Sequence, residues 1–163
     1  GLVGVLVGGG ITTAGTLWSQ RLQMKAALAA ERRTREIAAS SVALDALSQL
    51  LQLPDEAAPD DAGTEWQRRR RELLLVLGTA CQDLRGDDLR HRIEEVVSMI
   101  ELHTAATSMT GDTERQVRST ACTHALSCLG AFRRGDPLPA RPDGYARTLD
   151  AIDRWVSRGG SPM

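Results

Sequence analysis

The chain of 163 residues is poor in aromatic residues, which make up 3% of the sequence, and it contains one lysine and no asparagine. With so few rings, a folded core has to be built from aliphatic side chains. The net charge is −1, so there is no overall positive field of the kind that attracts nucleic acid. Nucleic acid is therefore not an expected partner.

Cysteine is also scarce. Cys81, Cys122 and Cys128 are an odd number of widely separated residues in a long chain, which is not the pattern of a disulfide framework. Thiols that are not paired commonly pack as small apolar side chains. We expect all three to be core residues.

The sequence lacks the common catalytic motifs. It has no glycine-rich phosphate loop ending in Lys-Ser or Lys-Thr, and no Gly-x-Ser-x-Gly elbow. It also has no alternating run of β-branched residues, so no sheet is expected to carry such a motif. These absences predict an all-α protein that is not an enzyme, with no cofactor and no small-molecule substrate.

The first twenty residues, by contrast, carry no charged side chain. A helix of roughly 20 apolar residues crosses the hydrocarbon core of a bilayer. Trp18 follows where an interfacial aromatic belongs, and Arg21 and Lys25 follow as anchors that remain on the cytoplasmic side. Residues 1–20 are thus predicted to be a transmembrane helix in contact with membrane lipid. The protein is expected in the cell membrane as a single-pass protein with a cytoplasmic C-terminal domain.

Small residues recur at every fourth position of this segment, namely Gly4, Gly8, Thr12 and Thr16. Such a ridge lets two membrane helices approach closely, so it predicts self-association or a protein partner. Two other readings stay open. In the first, the segment is a buried helix that packs on a partner, and the protein is a soluble or peripheral regulator or a component of a mobile element. In the second, the segment is a secretory signal, although the basic leader of such signals is missing.

Four regions are expected: the membrane helix 1–20, a stalk helix 21–53, an acidic linker 54–63 and a bundle of four or five antiparallel helices at 64–158. Apolar residues near a heptad spacing predict that 37–53 docks on the bundle, with a coiled coil as the alternative. That apolar set is Ile37, Ala43, Leu44, Leu47, Leu50 and Leu51.

Within the bundle, periodicity predicts helices at about 65–84, 89–109, 113–133 and 144–157. Thr64, with Gln67 three residues on, has the spacing of a capping box. Asp87 or Asp88 is expected to cap the next helix, and Asp112 the one after it. Gly86 and Gly111 are expected to end helices, and the short links predict antiparallel neighbours.

Two groups of side chains suggest binding. One is a basic run of four residues, Arg68, Arg69, Arg70 and Arg71. Its positive charge is most simply offset by the acidic linker before it, and binding to anionic lipid or to nucleic acid is the alternative. A metal site is the sharpest chemical hypothesis, because two thiols and two imidazoles fall on inward faces of neighbouring helices and match the ligands of tetrahedral zinc. Those four are Cys81, His103, His124 and Cys128, although each also reads as a core residue.

The segment GTLWSQRLQMKAALAAERRTRE follows a glycine-rich apolar start and precedes a helical domain. In this layout the first forty residues resemble uncharacterised single-pass proteins of high-G+C Gram-positive bacteria. The resemblance implies no activity. Together, these features predict a membrane-anchored helical interaction or scaffold module; a soluble or peripheral helical regulator and a metal-binding bundle are the alternatives.

Overall fold

The computed structural model describes the backbone of residues 3–54 and 62–159, and the side chains of residues 18–54 and 65–159. The described chain is all-α and contains no strand, as the sequence predicts. Its helices are α1 Val3–Gln52, α2 Ala62–Gln82, α3 Asp87–Glu101, α4 His103–Thr110, α5 Glu114–Arg134 and α6 Asp143–Ser157. The chain divides into two compact units, Gly1–Glu36 and Ile37–Met163.

The second unit is a helical bundle in which α3 contacts both α2 and α5, and α6 contacts α3, α4 and α5. Residues 37–52 of α1 contribute to the same core. Their buried positions recur at spacings of four and three residues, which places them on one helix face. They are Ala39, Ala43, Ala46, Leu47 and Leu50.

This buried face differs from the predicted one at its start. Ile37 was expected in the apolar stripe, yet half of its surface is exposed. Ala39 occupies the corresponding inward position, and a small residue there allows close packing. On α6, Val156 continues the apolar spacing of Leu149 and Ile152 in the sequence, yet it is 52% exposed, because the helix ends one residue later at Ser157.

The predicted single helix at 89–109 is wrong, because it is broken at Leu102, which has φ −95° and ψ 23°. Neither glycine nor proline marks the break in the sequence. The carbonyl of Ile100 instead accepts a hydrogen bond from the Arg70 guanidinium, and the Nδ1 atom of His103 lies 3.2 Å from it. Contacts from another helix therefore stabilise the end of α3.

Three predicted helix caps are also wrong. The second helix begins at Ala62, two residues before Thr64, and α3 follows Gly86 without a side-chain cap. Asp112 is not the cap of α5, because Thr113 forms a capping box there with Gln116. The helix-ending role of Gly111 is confirmed, with φ 77° in the left-handed region that glycine favours.

Candidate functional site

The first unit exposes an unusual set of large apolar side chains. Every described side chain from residue 18 to residue 35 is exposed. Trp18 is 69% exposed, Met24 61%, Leu22 53% and Leu28 46%. Folded proteins rarely leave such side chains grouped in water unless another surface covers them. We call residues 18–36 the exposed segment of α1; its last residue, Glu36, is half-buried.

The exposed segment is also basic. It contains Arg21, Lys25, Arg32, Arg33 and Arg35 against two glutamates. Arg35 pairs with Glu31 at 2.6 Å, with both side chains mostly exposed. The segment therefore carries a surplus of positive charge, although the whole chain has a net charge of −1. Trp18, Arg21 and Lys25, which the sequence singles out as anchors, are all exposed here.

The residues before this segment lie on the same helix, since α1 begins at Val3. The side chains of Gly4, Gly8, Thr12 and Thr16 lie outside the described residues, so the small-residue ridge stays a prediction. No described helix has a stretch that is both long enough and apolar enough to cross a membrane.

The four arginines that begin at Arg68 do not form one basic surface. Arg68 pairs with Glu65, while Arg69 lies 3.4 Å from Glu72 and donates to Gln49 of α1. Arg70 is turned inward and stacks over the Trp66 ring at 5.5 Å. Its partners include the Ile100 carbonyl and the His103 Nδ1 atom, at 2.8 Å from the latter. Arg68, Arg69 and Arg70 therefore contact groups of the bundle itself, which is a structural role.

The four residues of the zinc hypothesis do not come together. Among the described residues, no three His, Cys, Asp or Glu side chains are placed to hold a metal ion. The Cys81 thiol donates to the Arg90 carbonyl at 3.5 Å, and His103 contacts Arg70. Only His124 and Cys128 are adjacent, with 3.6 Å between Nε2 and Sγ. Cys81, His124 and Cys128 are buried, as their inward assignment predicts, whereas His103 is partly exposed. Cys81 lies near the start of α3 and His103 just beyond its end.

The most connected polar group is the carboxylate of Glu95, which sequence reasoning missed. Arg141 donates to both of its oxygens, at 3.1 Å for Nε to Oε2. The Tyr145 hydroxyl donates to Oε2 at 3.1 Å, and Nε2 of His91 lies 3.1 Å from Oε1. Burial raises the pKa of Glu95, but the bonds from Arg141 and Tyr145 outweigh it, so the pKa is lowered overall. The carboxylate therefore stays ionised.

This Glu95 cluster joins α3 to the loop after α5 and to α6. Arg141 and Tyr145 lie 46 and 50 residues from Glu95 in sequence, so no local spacing links them to it. The sequence offers one signal for this cluster, namely Tyr145, a single tyrosine on the buried face of the last helix. A buried hydroxyl requires a hydrogen-bond partner, which indicates that a polar group lies nearby. The cluster positions the loop that carries Arg141, which is a structural role.

The buried nucleophiles beside this cluster are not activated. The His124 ring lies 4.5 Å from the Tyr145 ring, centroid to centroid. Burial lowers the pKa of His124, so the imidazole is neutral near pH 7. Burial also raises the pKa of Cys128, and that of Cys122 to about 12. A thiol attacks as its thiolate, so neither cysteine is prepared for nucleophilic catalysis.

A cleft of about 350 Å³ opens beside His124, between α5 and the loop before α6. Its lining mixes hydroxyl groups with proline rings, including those of Ser119, Thr123, Ser127, Pro139 and Pro142. No acidic side chain lines it. His124 lines this cleft as a neutral imidazole, and the neighbouring Cys128 thiol is protonated, so this pair supplies no thiolate nucleophile.

Comparison of the chain with known protein families, with curated proteins and with solved structures gave no match. The likeness of the first forty residues to single-pass proteins of high-G+C bacteria thus stays a prediction. What the protein does has to be argued from its own residues. The exposed segment of α1 is the feature that most requires a partner.

Proposed function

We propose that the protein is a helical interaction module held at the cytoplasmic face of a membrane by residues 1–20. The observation that carries the proposal is the exposed segment of α1. It places Trp18, Leu22, Met24 and Leu28 in water, directly after seventeen residues without a charged side chain. An apolar stretch that ends in an interfacial tryptophan and then in basic residues is typical of a membrane anchor.

The bundle supplies the interaction part of the proposal. Two of its charged groups are paired within the bundle: Glu95 with Arg141 and Tyr145, and Glu114 with Arg118. These contacts stabilise the packing of helices, and burial keeps the Cys122 and Cys128 thiols of α5 protonated. They favour a binding or scaffold role over catalysis.

Residues 1–20 can associate with the bilayer in two ways, as a transmembrane helix or as an in-plane helix. Their length predicts a single crossing, and the basic residues that follow favour a cytoplasmic bundle. An in-plane helix that buries its apolar side chains at the interface is the other form. In either case the anchor holds the bundle close to the membrane and raises its local concentration there.

Fractionation of cells that express the full chain tests the anchor. We expect the protein in the membrane pellet after extraction with alkaline carbonate, and we expect a variant that lacks residues 1–17 in the supernatant. Circular dichroism of both proteins controls for folding of the bundle. Recovery of the full chain in the carbonate supernatant would overturn the single crossing. Recovery in the supernatant of an untreated lysate would overturn the membrane anchor and favour a soluble or peripheral regulator.

Access to an N-terminal tag separates the two forms of the anchor. A tag that external protease removes from intact spheroplasts indicates a single crossing. A tag that is cleaved only after lysis indicates an in-plane helix.

A further inference from the structure

We propose that the exposed segment of α1 binds anionic lipid headgroups through one face, formed by Arg21, Lys25, Arg32 and Arg35. This inference rests on the membrane association proposed above and specifies its lipid. We call these four residues the basic face. Each of them is exposed, and in the described part of the chain Arg21, Lys25 and Arg32 have no ion-pair partner.

Helix geometry aligns the four residues. Positions 21, 25, 28, 32 and 35 alternate spacings of four and three residues, so at 100° per residue they fall within an arc of roughly 80°. Leu28 is the single apolar member of this arc. The acidic residues Glu31 and Glu36 flank this arc, about 40° and 20° beyond its two edges, and Glu31 pairs with Arg35.

The basic face extends for about 21 Å along the axis, at 1.5 Å per residue over fourteen residues. The helix is continuous from Val3 to Gln52. If it stood upright on the membrane, Arg32 would lie roughly 18 Å beyond residue 20. That distance exceeds the Debye length of about 8 Å at physiological salt. All four residues reach headgroups together only if the segment lies along the surface. Because α1 is continuous, the basic face requires the in-plane form of the anchor.

A lipid surface fits this face better than nucleic acid. The uncharged stretch of residues 1–17 precedes the face on the same helix, and the 69% exposed Trp18 stands at the junction. A ring at this position suits the boundary between hydrocarbon and headgroups. Nucleic acid would use the positive charges and leave both of these features unexplained.

The test measures partition of the full chain onto vesicles by flotation. One set of vesicles is pure phosphatidylcholine, and the other contains equal parts of phosphatidylcholine and phosphatidylglycerol. A basic residue near an anionic surface contributes about 1 kcal/mol, which is roughly a fivefold change in partition. We expect Arg32→Gln to weaken binding to the anionic vesicles about fivefold, and Arg21→Gln with Arg32→Gln about twenty-five-fold.

Arg33→Gln is the matched control. It removes the same charge from the neighbouring position, but Arg33 lies about 100° further round the helix than Arg32. We expect less than a twofold change for Arg33→Gln. High salt should reduce the difference between Arg32→Gln and the unchanged chain, since screening shortens the reach of the charges.

The outcomes are distinguishable. Binding to phosphatidylcholine without any gain from phosphatidylglycerol overturns the basic face and leaves the membrane anchor standing. Failure to bind either vesicle overturns both. Equal losses for Arg32→Gln and Arg33→Gln, or unchanged binding of Arg32→Gln to the anionic vesicles, refute a face that lies along the surface. Tighter binding to duplex DNA than to anionic vesicles, lost in Arg32→Gln, assigns the face to nucleic acid.

Discussion

Arg118 joins α5 to the end of α1, and its replacement by methionine should destabilise the bundle strongly. Its side chain is 3% exposed. The Nη2 atom of Arg118 donates to the Leu53 carbonyl at 2.7 Å and to the Pro54 carbonyl at 3.3 Å. Both carbonyls lie just beyond the last residue of α1. Nη1 pairs with Glu114 at 3.2 Å. The guanidinium therefore places positive charge where the helix dipole of α1 is negative.

The magnitude follows from these contacts. A hydrogen bond from a charged donor contributes about 1.5–3 kcal/mol to stability. For Arg118, most of this contribution comes from the 2.7 Å bond to the Leu53 carbonyl. Breaking a buried ion pair costs about 3–5 kcal/mol. Glu114 is 16% exposed and regains part of its hydration. We therefore expect Arg118→Met to lower the free energy of unfolding by about 3 kcal/mol, and Arg118→Lys by about 1–2 kcal/mol.

Urea unfolding followed by far-ultraviolet circular dichroism measures the effect. With a slope near 2 kcal/mol per molar, the midpoint for Arg118→Met should fall by about 1.5 M. Fluorescence adds a local probe, because the Trp66 indole donates to the same Pro54 carbonyl at 2.9 Å. Arg133→Met is the control: it lies on the same helix and is exposed, so we expect a change of about 0.5 kcal/mol or less.

A double-mutant cycle with Glu114→Gln tests the cause. Coupling of about 1 kcal/mol or more is expected for a buried charge pair. A loss below about 1 kcal/mol for Arg118→Met would refute the reasoning, as would a cycle in which the two substitutions are additive.

Three further predictions concern the core. The pKa of His124 is lowered by burial, so the unfolded chain binds a proton that the folded one does not. Stability is therefore full above pH 6.5, the ordinary value, and falls as the pH drops below it; urea midpoints should show this slope reduced in His124→Gln. Burial raises the pKa of Cys81 to about 11 and that of Cys122 to about 12. Iodoacetamide at pH 8 should then label the three thiols only in denaturant, and rapid labelling of the native chain would contradict their burial. Leu47 is fully buried, so Leu47→Ala should cost about 2–5 kcal/mol in the same urea assay. Val42→Ala, at a 47% exposed position of the same helix, should cost about 0.5 kcal/mol or less.

Local chemistry was enough to predict much of the fold. The apolar residues that recur at helical spacing in α2 and α5 coincide with the core faces, including Leu77, Ala121 and Leu129, which are all fully buried. Helix ends were predicted well at Gly111, where the left-handed backbone conformation needs a glycine. They were predicted poorly where the choice lay between Asp112 and Thr113, since both residue types cap helices.

The polar contacts between helices could not be predicted in the same way. Arg118 falls among small and apolar residues of α5, and its buried position depends on carbonyls at the end of α1, sixty-five residues earlier in the chain. The Glu95 cluster spans a similar separation. A charge is tolerated in the core only when its partners are in place, and one sequence does not reveal which distant groups those are.

The sequence by itself determined the all-α class, the uncharged opening stretch and the order of basic residues behind it, because each depends on neighbours along a single helix. Tertiary structure alone decided the break at Leu102, where Arg70 approaches the Ile100 carbonyl from another helix. It also decided the burial of Arg118 and the ionised state of Glu95. These features depend on groups that only folding brings within hydrogen-bonding distance.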